Sequence, residues 1–107
     1  MERGEVRWAL FAPPDEERPV VVLTRTSAIR YLNAVTVAPV TSSIRGVPSE
    51  VMLTTEDGIP VESAANLHNI QTIPKKNIGR YITTLSRERM RDIESAIHFS
   101  LGIGTQS

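Results

Sequence analysis

From Gly4 to Phe11 the side chains alternate, with Val6, Trp8 and Leu10 on one side and Glu5, Arg7 and Ala9 on the other. A period of two predicts a half-buried strand. The run Ala12-Pro13-Pro14-Asp15-Glu16-Glu17 ends it, because proline cannot donate to a ladder and three consecutive acids stay in water. Val20 to Leu23 is apolar without alternation, which predicts a central strand covered on both faces. Thr24 to Asn33 mixes polar residues with Ile29, Tyr31 and Leu32 and predicts one helical turn capped by Thr26 or Ser27. Ala34 to Val40 reads as a third strand, with Val35 and Val37 inward and its pairing ending near Pro39.

Thr41 to Ser49 has the composition of a surface loop, and Val51-Met52-Leu53 forms a fourth short strand. Thr55-Glu56-Asp57-Gly58 supplies a turn in which Gly58 takes positive φ. Ile59 to Ala65 and Leu67 to Ile73 are two more extended pieces, or one long bent strand. Pro74 to Gly79 is turn-like, and Arg80 to Leu85 is a last strand with Tyr81 buried on its ring side. The clear helix follows, with Ser86 as N-cap, Met90, Ile93, Ile97 and Leu101 at helical spacing, Ala96 widening the stripe and Gly102 as left-handed C-cap. Arg87, Arg91, Glu94 and His98 fall on the opposite face. Strands followed by one helix exclude a parallel α/β sheet and predict a mainly β fold, a small antiparallel barrel or sheet with the helix packed on it. No internal repeat or low-complexity tract interrupts the pattern, and the tail from Gly104 is expected to fray.

A chain of 107 residues suits a single domain over 1–107. It holds no apolar run long enough to predict a membrane span. The N-terminus lacks the basic and apolar regions of a secretory signal, and with no cysteine the expected location is the cytoplasm. Twelve basic and 12 acidic side chains cancel, so any nucleic-acid site has to be a local patch. There is no phosphate-binding glycine loop, no dinucleotide fingerprint and no pair of histidines at ligand spacing. Asp15, Glu16 and Glu17 form a run rather than a converging set, so no metal or cofactor is expected.

What remains is the stretch from Arg18 to Ser42. Pairing Arg18-Pro19-Val20-Val21-Val22-Leu23 antiparallel with Ala38-Pro39-Val40-Thr41-Ser42 brings Arg18 beside Thr41 and Ser42. A forked guanidinium next to two hydroxyls is a phosphate seat. The duller explanations are an ion pair between Arg18 and a loop acid, and a strand-ending turn at Thr41 and Ser42.

Several pieces taken in order resemble the MazF/PemK endoribonuclease toxins of bacterial toxin–antitoxin pairs. They are Arg3-Gly4-Glu5-Val6 with Trp8, Phe11-Ala12-Pro13, Arg18-Pro19-Val20-Val21-Val22, Ala38-Pro39-Val40-Thr41-Ser42, Glu62-Ser63, Ile70-Gln71-Thr72-Ile73 with Lys75, and Leu101-Gly102-Ile103. The resemblance implies an SH3-like barrel with a C-terminal helix, a homodimer, an antitoxin partner with a disordered acidic segment, and metal-independent cutting of single-stranded RNA. It implies attack by the ribose 2′-hydroxyl on the adjacent phosphate, leaving a 2′,3′-cyclic phosphate and a 5′-hydroxyl. Its catalytic positions match Arg18 and Thr41.

Phe11, Ser42, Ser43, Arg45, Ser63, His68, Asn69, Gln71 and Thr72 are the expected substrate contacts, with Phe11 the aromatic nearest a base. The family more often has an acid and glutamine where His68 and Asn69 stand, and a basic residue at Gln71, departures that bear on which bases are read. The resemblance implies that the arginine does the acid–base work, although by its own chemistry Arg18 suits charge stabilisation better and His68 is the better-tuned proton carrier; a lone strand histidine is more often structural, so the proton carrier stays open between Arg18 and His68. The acids Asp15, Glu16 and Glu17 are expected to narrow the range of accepted RNA by repulsion. Two alternatives share the barrel: a CcdB-like toxin that binds DNA gyrase, and a catalytically silent binding barrel.

Overall fold

The computed structural model describes residues 1–11 and 17–104. Seven strands are described: β1 (Glu5–Leu10), β2 (Glu17–Val22), β3 (Ala34–Thr41), β4 (Glu50–Leu53), β5 (Ser63–Asn66), β6 (Gln71–Pro74) and β7 (Ile78–Thr84). A one-turn helix α1 (Thr26–Ile29) links β2 to β3, and helix α2 (Arg87–Leu101) follows β7. The sheet runs β4-β5-β3-β2-β1-β7 with every pairing antiparallel, and β6 also pairs with β3. The mainly β architecture with a C-terminal helix is thus as expected. No helix among the described residues is long and apolar enough to cross a membrane.

The unbroken apolar run of β2 has a plain physical cause. Val21 joins Val6, Ala38, Leu53, Leu67 and Ile93 in a core roofed by α2, while Val20 and Val22 point the other way, into a cluster with Ile29, Val35, Val37 and Ile73. Both faces of β2 are buried, and each fully buried valine stabilises the fold by about 1.5–3 kcal/mol relative to exposure. β3 uses both of its edges. Its ladder with β2 ends at the pair Val20 and Pro39, and its other edge carries β6 along Ala34 to Val37 and then β5 at Val40 and Thr41. Proline therefore stops one ladder without ending the strand.

Helix α2 begins where Ser86 Oγ accepts the N–H of Arg89 at 3.0 Å and ends at Gly102, whose φ of 70° is left-handed. Gly58 sits at φ 91°, and a Cβ there would run into Thr83 Oγ1, so both conformation and space demand glycine.

Several expectations are corrected. Leu10 is 52% exposed beside Trp8, while Ala9 is buried, because the odd face of β1 meets the second cluster. Tyr81 is 49% exposed: β7 is an edge strand whose register slips against β1, and the ring lies under Arg7 with its hydroxyl on Thr84 Oγ1. Leu101 is also exposed, so the buried stripe of α2 is Met90, Ile93 and Ala96. The N-cap of α1 is Arg25, with no side-chain bond, since Thr26 Oγ1 instead accepts from the backbone of Arg3. Of the two readings for the stretch from Ile59 to Ile73, the two-piece one holds: β5 and β6 are separate strands, parted by a 3-10 turn at Leu67–Asn69.

Candidate active site

Continuing the β2–β3 register outward from Val20 and Pro39 sets Arg18 opposite Thr41. The two line one cleft of about 360 Å³ with Pro39, Ser43, Arg45, Glu50, Asn66, His68 and Asn69. Thr41 is half-buried, and its Oγ1 accepts the N–H of Ser43 at 3.1 Å, which leaves its own hydroxyl proton to donate. Arg18 is exposed and has no carboxylate within 4.0 Å among the described residues. Its neighbour Glu17 lines a different cleft, with Trp8, Leu10 and Arg80. Asp15 and Glu16, the other two acids expected to act on RNA, lie outside the described residues.

The far wall is built from β4 and the turn between β5 and β6. Ser49 is buried, and its Oγ shares a hydrogen bond with His68 Nδ1. Its carbonyl accepts the N–H of Leu67 at 2.8 Å. Asn66 Oδ1 accepts the N–H of His68 at 3.2 Å, closing an Asx turn that aims the ring. Glu50 Oε1 accepts the N–H groups of Arg45 at 3.0 Å and Gly46 at 2.9 Å, which ties the connection after Thr41 to β4. Partial burial pushes the Glu50 carboxyl up, but the backbone of Gly46, Arg45 and Val47, with His68 nearby, outweighs it and holds the group below its ordinary value. The cleft therefore carries two guanidinium groups, one imidazole, one ionised carboxylate and two hydroxyls.

A family model described as the PemK-like, MazF-like toxin of type II toxin–antitoxin systems matches residues 2–101. The chain belongs to this family. It is 38% identical over 103 residues to the probable endoribonuclease MazF2 of Mycobacterium tuberculosis, covering 95% of this chain and 99% of that one. The solved structure of Mycobacterium tuberculosis toxin MazF-mt6 superposes with a TM-score of 0.85 at 33% identity, over 92% of this chain and 96% of that one. A mycobacterial endoribonuclease solved with its cognate antitoxin shares the fold at a TM-score of 0.88 and 22% identity, over 99% of each chain.

Of the residues expected from sequence in this PemK/MazF chain, the structure brings Arg18, Thr41, Ser43, Arg45, His68 and Asn69 to one cleft. It does not bring the others there. Ser42 is exposed beside the cleft but does not line it. Ser63 is buried and donates to Val61 O at 2.9 Å, a satisfied strand hydroxyl. Phe11 packs on the second core cluster. Gln71 and Thr72 are exposed on β6 opposite Val37 and Thr36, and Thr72 Oγ1 bonds Thr36 Oγ1 at 2.9 Å. Pro39, Ser49, Glu50 and Asn66 were missed. The usable signal was Asn66, an Asx-turn former two residues before His68; for Ser49 and Glu50 the sequence offers none.

Proposed function

We propose that this PemK/MazF chain is one domain over 1–107 acting as a sequence-selective, metal-independent endoribonuclease toxin. Its substrate is single-stranded RNA, chiefly messenger RNA, and its product ends are a 2′,3′-cyclic phosphate and a 5′-hydroxyl. Cleavage halts translation and growth until a MazE-like antitoxin neutralises the toxin, a partner supported by the toxin–antitoxin family match. The working form is a cytoplasmic homodimer. The observation that carries the reading is the meeting of Arg18 and Thr41 in one cleft, joined by the curated endoribonuclease relative that spans nearly the whole chain.

Cleavage crowds negative charge onto the non-bridging oxygens of a five-coordinate phosphorus, and donors aimed at that charge lower the barrier. Arg18 offers a permanently charged fork for those oxygens. Thr41 donates its hydroxyl to the phosphate or orients the 2′-hydroxyl, the group that separates RNA from DNA. The test is to incubate the purified protein with a long RNA in excess chelator and map the ends. Discrete cuts bearing cyclic phosphate, lost in Arg18→Ala, are expected. Intact RNA would favour the gyrase-binding or silent-barrel alternatives.

A further inference from the structure

We infer that His68, held by Ser49, is the base that takes the 2′-hydroxyl proton, an inference that rests on the endoribonuclease reading above. The reaction needs a group that changes protonation near neutral pH. Arginine side chains stay protonated, and threonine, serine and asparagine do not act as bases in this range. Glu50 is engaged by two backbone N–H groups and held below its ordinary value, which makes it a poor acceptor. Imidazole is the remaining titratable side-chain type on the cleft wall.

Geometry supplies the second half of the case. The residue is exposed, yet its ring is held at Nδ1 and the backbone beneath it is anchored at two further points. Nδ1 bonds the buried Ser49 hydroxyl, Asn66 holds the backbone N–H, and Leu67 is fully buried, with its carbonyl accepting from Ser100 Oγ at 2.9 Å. With the proton on Nδ1 and donated to Ser49 Oγ, the lone pair of Nε2 is the free acceptor, and Nε2 bonds nothing among the described residues. Ser49 is then a positioning residue: its hydroxyl can donate to or accept from Nδ1, so it orients the ring in the neutral and the protonated form alike.

The charged groups around the ring are Arg18 from β2, Arg45 from the connection after β3, and Glu50 from β4. β3 contributes the uncharged Pro39 and Thr41, and α2 reaches the turn from behind through Ser100 without placing a charge in the cleft. In the step itself the 2′-O–H bond breaks and its proton passes to Nε2. The 2′-oxygen bonds to phosphorus, the bond from phosphorus to the 5′-oxygen breaks, and that oxygen takes a proton from solvent water. The imidazolium returns its proton to solvent, so the histidine is regenerated.

The test is the pH dependence of kcat/KM on an RNA oligonucleotide containing a mapped cut site. Wild type should lose activity with unit slope as pH falls through the imidazole range. His68→Gln should be about 10²- to 10⁴-fold slower and lose that limb. His68→Ala should recover part of its rate in added imidazole, and His98→Gln should match wild type. Ser49→Ala should lower kcat, leave KM, and move the limb. His68→Gln within threefold of wild type, or an unchanged limb, overturns the inference while Arg18→Ala still inactivates. Intact RNA with wild type overturns the endoribonuclease reading and the inference together.

Discussion

Arg18 and Arg89 carry the same guanidinium into two surroundings. Arg89, on α2, bonds Asp57 Oδ1 at 3.1 Å and Asp92 Oδ2 at 3.0 Å. Asp57 in turn accepts the N–H of Thr54 at 2.8 Å, and Thr83 Oγ1 donates to its carbonyl at 3.0 Å. Arg89, Asp57 and Asp92 all have partners there, and the corner staples α2 to the turn before β5. Arg18 stands at a strand end in an open cleft, with Thr41 beside it, His68 on the far wall and no carboxylate partner among the described residues. A guanidinium whose donors are engaged holds the fold together. One whose donors face a cleft can take an incoming phosphate.

The largest effect expected from breaking this contrast is at Arg18. Arg18→Ala should slow RNA cleavage by about a hundred- to a thousandfold, the usual cost of removing a preorganised donor to developing charge. Its unfolding free energy in urea should stay within about 0.5 kcal/mol of wild type, as for other surface substitutions. Arg18→Lys keeps the charge but loses the fork and should recover only part of the rate. Thr41→Val removes one hydroxyl of nearly the same volume. Single-turnover cleavage should fall about tenfold, the worth of one hydrogen bond at the upper end of its range.

The reverse outcome is expected at the stapled corner. Asp57→Asn should leave the cleavage rate of the folded protein unchanged and cost up to about 1 kcal/mol of stability, the upper range for a partly exposed ion pair, because the amide oxygen still accepts the Thr54 N–H while the charge facing Arg89 is lost. Burial pushes Asp57 up, but the Thr54 N–H and the Arg89 guanidinium outweigh it and hold the carboxyl below its ordinary value. A group whose folded pKa lies below its unfolded one stabilises fully above the unfolded value, and this stabilisation is lost as pH falls through the folded value. Urea midpoints of wild type and variant should therefore differ at neutral pH and converge below the ordinary aspartate range. A gap that persists there would mean that the pairing with Arg89 is not its source.

The Arg18 end of the cleft was legible in the sequence because β2 and β3 are adjacent along the chain and in the sheet. Two apolar runs joined by a short connection have one natural register, and that register pairs Arg18 with Thr41. Helix α2 was legible from its caps and stripe for the same local reason. The other wall was not. Ser49 meets His68 only because β4 pairs with β5 and the chain then turns at Leu67–Asn69, so the contact depends on tertiary pairing that no local pattern encodes. Tyr81 and Leu101 show the opposite limit: their spacing says which face they share, while whether anything covers that face is decided elsewhere.

The smallest effect, at Glu50, puts the sharpest test on the contrast. Glu50 Oε1 accepts from Arg45 and Gly46, and a glutamine carbonyl can accept the same two bonds. Glu50→Gln therefore keeps the connection in place while removing one negative charge beside Arg18, Arg45 and His68. Two unit charges about 4 Å apart in water interact by about 1 kcal/mol, so the change should be a factor of about two to five. It should favour binding, because a polyanion no longer meets a carboxylate in the cleft, and KM should fall. Glu50→Ala removes the two bonds as well and should raise KM. Deleting an acid thus weakens the protein at the Arg89 corner and improves RNA binding at the Arg18 cleft. If Glu50→Gln were instead to destabilise the fold and leave KM unchanged, the cleft would be a second structural corner.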